Sequence, residues 1–195
     1  MTLYTVRPAT PEDAPFLAQT VMGALGEELC IQLADGETNI PLVRKLFTVL
    51  AESDNSQYSY THSWVAQTPD GISIGAVIAY DGACLLSLRK AFIREAGAIL
   101  GWNVSEEEEK EWEPETGPQE IYIDSLFVAP AFRRNGIAAR LIQTVEEHYR
   151  PAGKPVGLLV EPENLNARRT YERLGFQDAG RNGFLGVPMI HMQKR

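Results

Sequence analysis

A mixed α/β fold is what this 195-residue sequence predicts, and three observations predict it. Residues 121–139 read as a buried strand that runs through a short turn into an amphipathic helix. Residues 155–174 repeat that strand-to-helix change. Around these two units, segments with the two-residue period of strands and the 3.6-residue period of helices follow one another along the chain.

Taken in order, Leu3 to Arg7 makes a first strand. Thr10, Pro11, Glu12 and Asp13 then supply an N-cap, a proline in the first helical position and an acidic side chain that reaches back, which starts a helix to about Leu25. Leu29 to Gly36 fits neither period. Ile40 to Ala51 places Leu42, Val43, Leu46, Phe47 and Leu50 on a helical face, and Ser53 to Tyr58 is a polar loop. Ser63 to Gln67 and Ile72 to Tyr80 are strands joined at Pro69-Asp70-Gly71. From Asp81 to Pro118 the chain makes a long excursion, about 82–118. Its first half has helical spacing at Leu85, Leu88, Phe92, Ile93, Ala96, Ile99 and Leu100, ending at Gly101. Its second half, Glu106 to Glu115, is an acidic run, read as a solvated loop or as a lid whose charge favours an amine.

Ile121 to Val128 has the β-branched and aromatic content of a buried strand, which Pro130 ends, and helical period resumes from Ile137 to His148. In the turn between them, glycine at 136 lets the first amides of the helix point outward at an anion, and Arg133 and Arg134 add positive charge. Pro155 to Val160 is the next strand, Asn164 to Leu174 the next helix, and Phe176 to Asp178 with Val187 to Gln193 a closing hairpin.

Composition narrows the function. A 44% hydrophobic chain of this length suits one domain. A net charge of −8 argues against a sequence-independent hold on nucleic acid, which requires Lys and Arg to neutralise phosphates. Cys30 and Cys84 are too few for a disulfide framework or a Cys-rich zinc site, and His62, His148 and His191 have no metal-ligand spacing. With no apolar run of membrane-spanning length and no signal-peptide layout, a cytoplasmic protein that engages neither membrane nor nucleic acid is expected. No Walker loop, dinucleotide fingerprint or nucleophile elbow is present. The oligomeric state stays open, a homodimer included.

Arg133, Gly136 and Ala138 follow, in order, the pyrophosphate loop of the GCN5-related N-acetyltransferase (GNAT) family, and the turn resembles that loop. Downstream, Asn164, Ala167, Tyr171, Leu174, Gly175 and Phe176 resemble a second family segment at matching spacing. The resemblance spans most of the chain, with its specific residues in the second half. It implies the acyl-CoA N-acyltransferase fold: a mostly antiparallel mixed sheet, helices on both faces, and a splayed strand pair that takes the pantetheine arm. The co-substrate implied is acetyl-CoA, with no metal, and the partner is an amine acceptor. Cofactor contacts then fall on Leu126, Phe127 and Val128 in the splayed strand, on Arg133, Arg134, Asn135, Gly136, Ile137, Ala138 and Ala139 in the loop, and on Asn164 and Tyr171. Asn164 also reads as a simple helix cap.

Acyl transfer to an amine needs a neutral nucleophile and an acid for the departing thiolate. A lysine-like amine with pKa ~10.4 costs roughly 4 to 5 kcal/mol to deprotonate at neutral pH. Strand alternation puts Tyr122, Asp124, Leu126 and Val128 on one face. Asp124, a carboxylate in an apolar strand, reads as general base or amine-orienting group, or as a structural hydrogen-bond partner. Tyr122 stands where some family members carry a catalytic Glu, which leaves a water-mediated route open. By resemblance Tyr171 is the acid for the thiolate; its spacing alone would make it a packing residue. The expected activity is direct N-acetylation of a primary amine, small molecule or protein N-terminus, in a ternary complex. A non-catalytic CoA-binding or sensor module is the rival.

Overall fold

In the computed structural model, which describes residues 4–184 and 186–195, seven strands form one mixed sheet in the order β1-β2-β3-β4-β5-β7-β6. The strands are β1 (Thr5–Pro8), β2 (Ser63–Gln67), β3 (Ser73–Asp81), β4 (Ile121–Val128), β5 (Val156–Val160), β6 (Gln177–Phe184) and β7 (Val187–Lys194). Leu3, where the first strand was expected to start, lies outside the described residues. Every neighbouring pair is antiparallel except β4 and β5.

Among the described residues the α-helices are α1 (Ala14–Ala34), α2 (Ile40–Glu52), α3 (Leu85–Leu100), α4 (Glu106–Glu111), α5 (Ile137–Tyr149) and α6 (Leu165–Arg173). On one face, Leu17, Leu46, Phe47 and Leu50 of α1 and α2 pack with Phe92 of α3 against Val65, Ala76 and Ile78. On the other, Ile137, Leu141, Ile142 and Val145 of α5 pack against Val77, Ala79, Ile121 and Ile123. Each fully buried side chain of this size contributes about 1.5–3 kcal/mol of transfer free energy. Among the described residues no helix is long and apolar enough to cross a membrane.

Several local expectations change. Residues 29–34, which fit neither period, are helical, because α1 resumes after a break at Gly26 (φ 80°, ψ 169°) that interrupts the pattern. The acidic run is not all loop: Glu106–Glu111 is helical, started by a capping box in which Ser105 and Glu108 satisfy each other's backbone amides. The 53–58 loop is polar but not solvated at its end, since Ser56, Gln57 and Tyr58 are buried and Ser56 Oγ donates to the Leu50 carbonyl at 2.6 Å. β6 is longer than expected, because Gly180, Arg181, Asn182 and Gly183 lack strand-like side chains yet pair with β7.

Candidate functional site

Two irregularities of β4 shape the site. The first is its parallel pairing with β5, which lasts only from Ile121↔Val156 to Ile123↔Leu158. Beyond that point Ser125 to Val128 pair with β3 alone and Leu159 and Val160 with β7 alone. The strands diverge, and backbone groups along the gap have no ladder partner on that side.

The second is a β-bulge. Ile78 pairs with Ser125 and Ala79 with Ile123, so Asp124 is the extra residue on β4. This corrects the expected alternation. Tyr122 lies with Tyr80 and Leu85, and Asp124 accepts from Tyr80, whereas Leu126 and Val128 pack on the α5 side with Ile121 and Ile123. One inserted residue shifts the two-residue period, so everything after Asp124 changes face.

The bulge gives Asp124 an unusual environment. Oδ2 accepts from Tyr80 Oη at 2.9 Å and from Gln57 Nε2 at 3.5 Å, while Oδ1 accepts from Ser125 Oγ at 3.0 Å. Burial, followed by the negative charge of Glu115, outweighs these bonds and pushes the carboxyl up to about 7. Tyr80 and Gln57 carried no signal in the sequence: one reads as an ordinary strand residue, the other as loop.

A cleft of about 450 Å³ opens along the diverging strands, lined by Asp124, Leu126, Phe127, Val128, Arg133, Asn164 and Tyr171 together with Gly23 to Gly26 of α1. Gly23 lets α1 lie directly on β4, since a Cβ there would stand 2.5 Å from the Phe127 ring. Asn164 caps α6, its Oδ1 accepting from the Ala167 amide at 3.1 Å. Tyr171 sits on α6 with its ring 5.8 Å from that of Phe176, and burial pushes its phenol up to about 12.

At the far end of the cleft the turn takes the form its residues dictate. Arg134 (φ 64°) and Gly136 (φ 75°) are both left-handed, and space around the Gly136 Cα is open. The first backbone bond of α5 runs from the Arg140 amide to the Gly136 carbonyl at 3.0 Å. The amides of Ile137, Ala138 and Ala139 therefore precede the helical ladder and are free to bind an anion. The Ile137 side chain is buried under the sheet, so it can contribute only its amide. Asn135 Nδ2 closes the turn onto the Phe132 carbonyl at 3.1 Å, and Arg133 Nε donates to the Val128 carbonyl at 3.1 Å. Free amides at one end and an unladdered gap leading to Asp124 and Tyr171 at the other fit an extended diphosphate with an amide-bearing arm.

A larger cavity of about 750 Å³ adjoins the cleft, the two sharing Leu25, Tyr58 and Phe184. Its other walls come from α2, α3, the 101–116 segment and the β6–β7 hairpin.

Comparison with known proteins bears on the family and the fold. Residues 47–176 match the model of the acetyltransferase (GNAT) family. Acetyltransferase Atu2258 of Agrobacterium fabrum is 39% identical over 77 residues, a match covering 38% of this chain and about half, 56%, of that relative. The solved structure of an acetyltransferase superposes with a TM-score of 0.69 at 26% identity over 98% of each chain. An N-acetyltransferase from Staphylococcus aureus Mu50 shares the fold at a TM-score of 0.73 and 20% identity, over 97% of this chain and 99% of its own. The chain thus belongs to the GNAT family of acetyltransferases.

Proposed function

We propose that this chain is an acetyl-CoA-dependent N-acetyltransferase, acting as one domain with residues 82–118 as an insertion, and that its acceptor is a primary amine. The observation that carries this reading is a cleft that runs from Arg133, in the turn before the free helix-start amides, to a carboxyl group pushed up to about 7 and a phenol pushed up to about 12. Acetyl-CoA would supply the activated acyl carbon. Arg133, Arg134 and the amides of residues 136–139 would hold the diphosphate, and the edges of β4 and β5 the arm.

Asp124 takes a proton from the incoming ammonium, because a base with pKa near 7 is both available and competent at neutral pH. The amine nitrogen then bonds to the acyl carbon as the carbon–sulfur bond breaks. Tyr171 gives its proton to the sulfur and is reprotonated. The ammonium loses two protons in all, one replacing that of Tyr171 and one leaving to solvent, so the turnover releases one proton. No nucleophile of the chain is used covalently.

The test is steady-state thiol release from acetyl-CoA with a panel of amines, with the product identified by mass and CoA affinity measured by calorimetry. N-acetylated product is expected. CoA binding with no turnover on any amine would instead make the chain a CoA-binding module.

A further inference from the structure

We infer that the acceptor is an apolar, aromatic primary amine that carries no carboxylate of its own. This rests on the amine-acetylation reading above and concerns the larger cavity. Its wall is a continuous aromatic file. Tyr58, at the junction with the donor cleft, lies 5.0 Å from Phe47; Phe47 stacks at 6.5 Å on Phe92; Phe92 meets Trp102 at 5.8 Å; and Trp102 meets Trp112 at 6.5 Å. Its half-buried members, Trp102 and Trp112, give area and cation-accepting faces to an apolar ammonium, with Phe47, Tyr58 and Phe92 packed behind them.

The charges select against an acid. Both arginines on the wall are engaged: Arg89 Nη2 binds Glu115 at 2.7 Å, and Arg181 binds Asp178 at 2.8 Å. Arg89 Nη1 has no hydrogen-bond partner among the described residues but is sealed from solvent, with the guanidinium 5.9 Å from the Trp112 ring centre. Glu111 and Glu113 also line the cavity and have no ion-pair partner among the described residues. Asp124 adds negative charge toward the junction when ionised, while Glu115 is balanced by Arg89. An amino acid would bring its carboxylate into this field with no unpaired cation among the described residues of the wall to receive it, whereas a simple ammonium is attracted.

The test compares 2-phenylethylamine, L-phenylalanine, L-phenylalaninamide, spermidine and glucosamine as acceptors. Phenylethylamine should exceed phenylalanine in kcat/KM by about tenfold or more, the amide falling between them. Glu111→Gln with Glu113→Gln, both exposed, should narrow that ratio, and Trp112→Ala should raise KM for phenylethylamine about tenfold with KM for acetyl-CoA within about twofold. Phenylalanine used as well as phenylethylamine, or spermidine or glucosamine used in place of both, would overturn the inference while leaving amine acetylation intact. No acetylation of any amine by a chain that binds CoA would overturn the underlying reading, and the inference with it.

Discussion

Tyr80 on β3 donates its hydroxyl to Asp124 Oδ2 at 2.9 Å, from the strand that faces the β4 bulge. The bond favours the carboxylate, against burial and the charge of Glu115, which favour the acid, and the balance falls at about 7. If Asp124 is the base, kcat/KM should rise with pH through about 7 and level off above it. Tyr80→Phe removes a bond that stabilises the charged form, so the rising limb should move to higher pH, costing about 3- to 10-fold at pH 7 and little on the plateau. A pH–rate profile of the two proteins decides this: a limb that stays in place would detach Asp124 from the titration.

The same carboxyl group has a cost in stability. Its ordinary pKa is 3.8, and in the fold it lies near 7. Between those values the folded state holds a proton that the unfolded chain has released, so stability declines as pH rises from about 3.8 to about 7 and is flat beyond. Asp124→Asn removes the charge and keeps the shape. It should gain about 1–2 kcal/mol over wild type at pH 8, some 3–6 °C in Tm, with little gain at pH 4, the full shift being discounted because the group faces the cleft. Activity should fall at least about 100-fold. Thermal melts at both pH values check the sign.

Tyr171, with its phenol raised to about 12 by burial, stays protonated across the working pH range. A group that can give a proton but does not ionise by itself suits the acid role. Tyr171→Phe keeps the ring against Phe176 and should leave KM for acetyl-CoA within about twofold while kcat falls about 100-fold. Undiminished turnover would return Tyr171 to a packing role.

The sequence made the turn, cap and helix that border the cleft legible because their signals are local. A turn that needs Gly136 at φ 75°, a cap at Asn164 and a helix-period tyrosine at 171 are all written in consecutive residues. What it hid depends on two segments at once. The bulge exists only in the register of β3 against β4, so the faces of Leu126 and Val128 came out reversed. Gln57 and Tyr80 become relevant only when residues 67 and 44 positions away reach Asp124. The aromatic file likewise joins α2, α3 and the 101–112 segment, which no single window contains.

The closed end of the diverging strands is pinned by a side chain that crosses one strand to reach the next. Glu120, just before β4, passes over Gly157 of β5 and accepts from Gln193 at 3.1 Å, with His191 of β7 at 2.8 Å and Thr116 donating at 2.6 Å. It fits because Gly157 has no Cβ; one placed there would collide with the Glu120 carboxylate. Burial pushes Glu120 up, but the bonds from His191, Thr116 and Gln193 outweigh it and its pKa ends below the ordinary value, while Glu120 holds His191 above its own. The histidine's contribution is then complete below pH 6.5 and lost as pH rises through its raised pKa. The glutamate's is complete above pH 4.5 and lost as pH falls through its lowered one. The pair therefore contributes most between about pH 4.5 and 6.5. Gly157→Ala should cost about 2–4 kcal/mol by displacing a buried carboxylate from its partners. His191→Gln, which keeps a hydrogen bond to Glu120, should cost less and shrink the decline of stability between pH 5.5 and 8 to the part that Asp124 contributes. Urea titrations at pH 5.5 and 8 test both, and a His191→Gln protein that keeps the wild-type pH dependence would release this pair from the role.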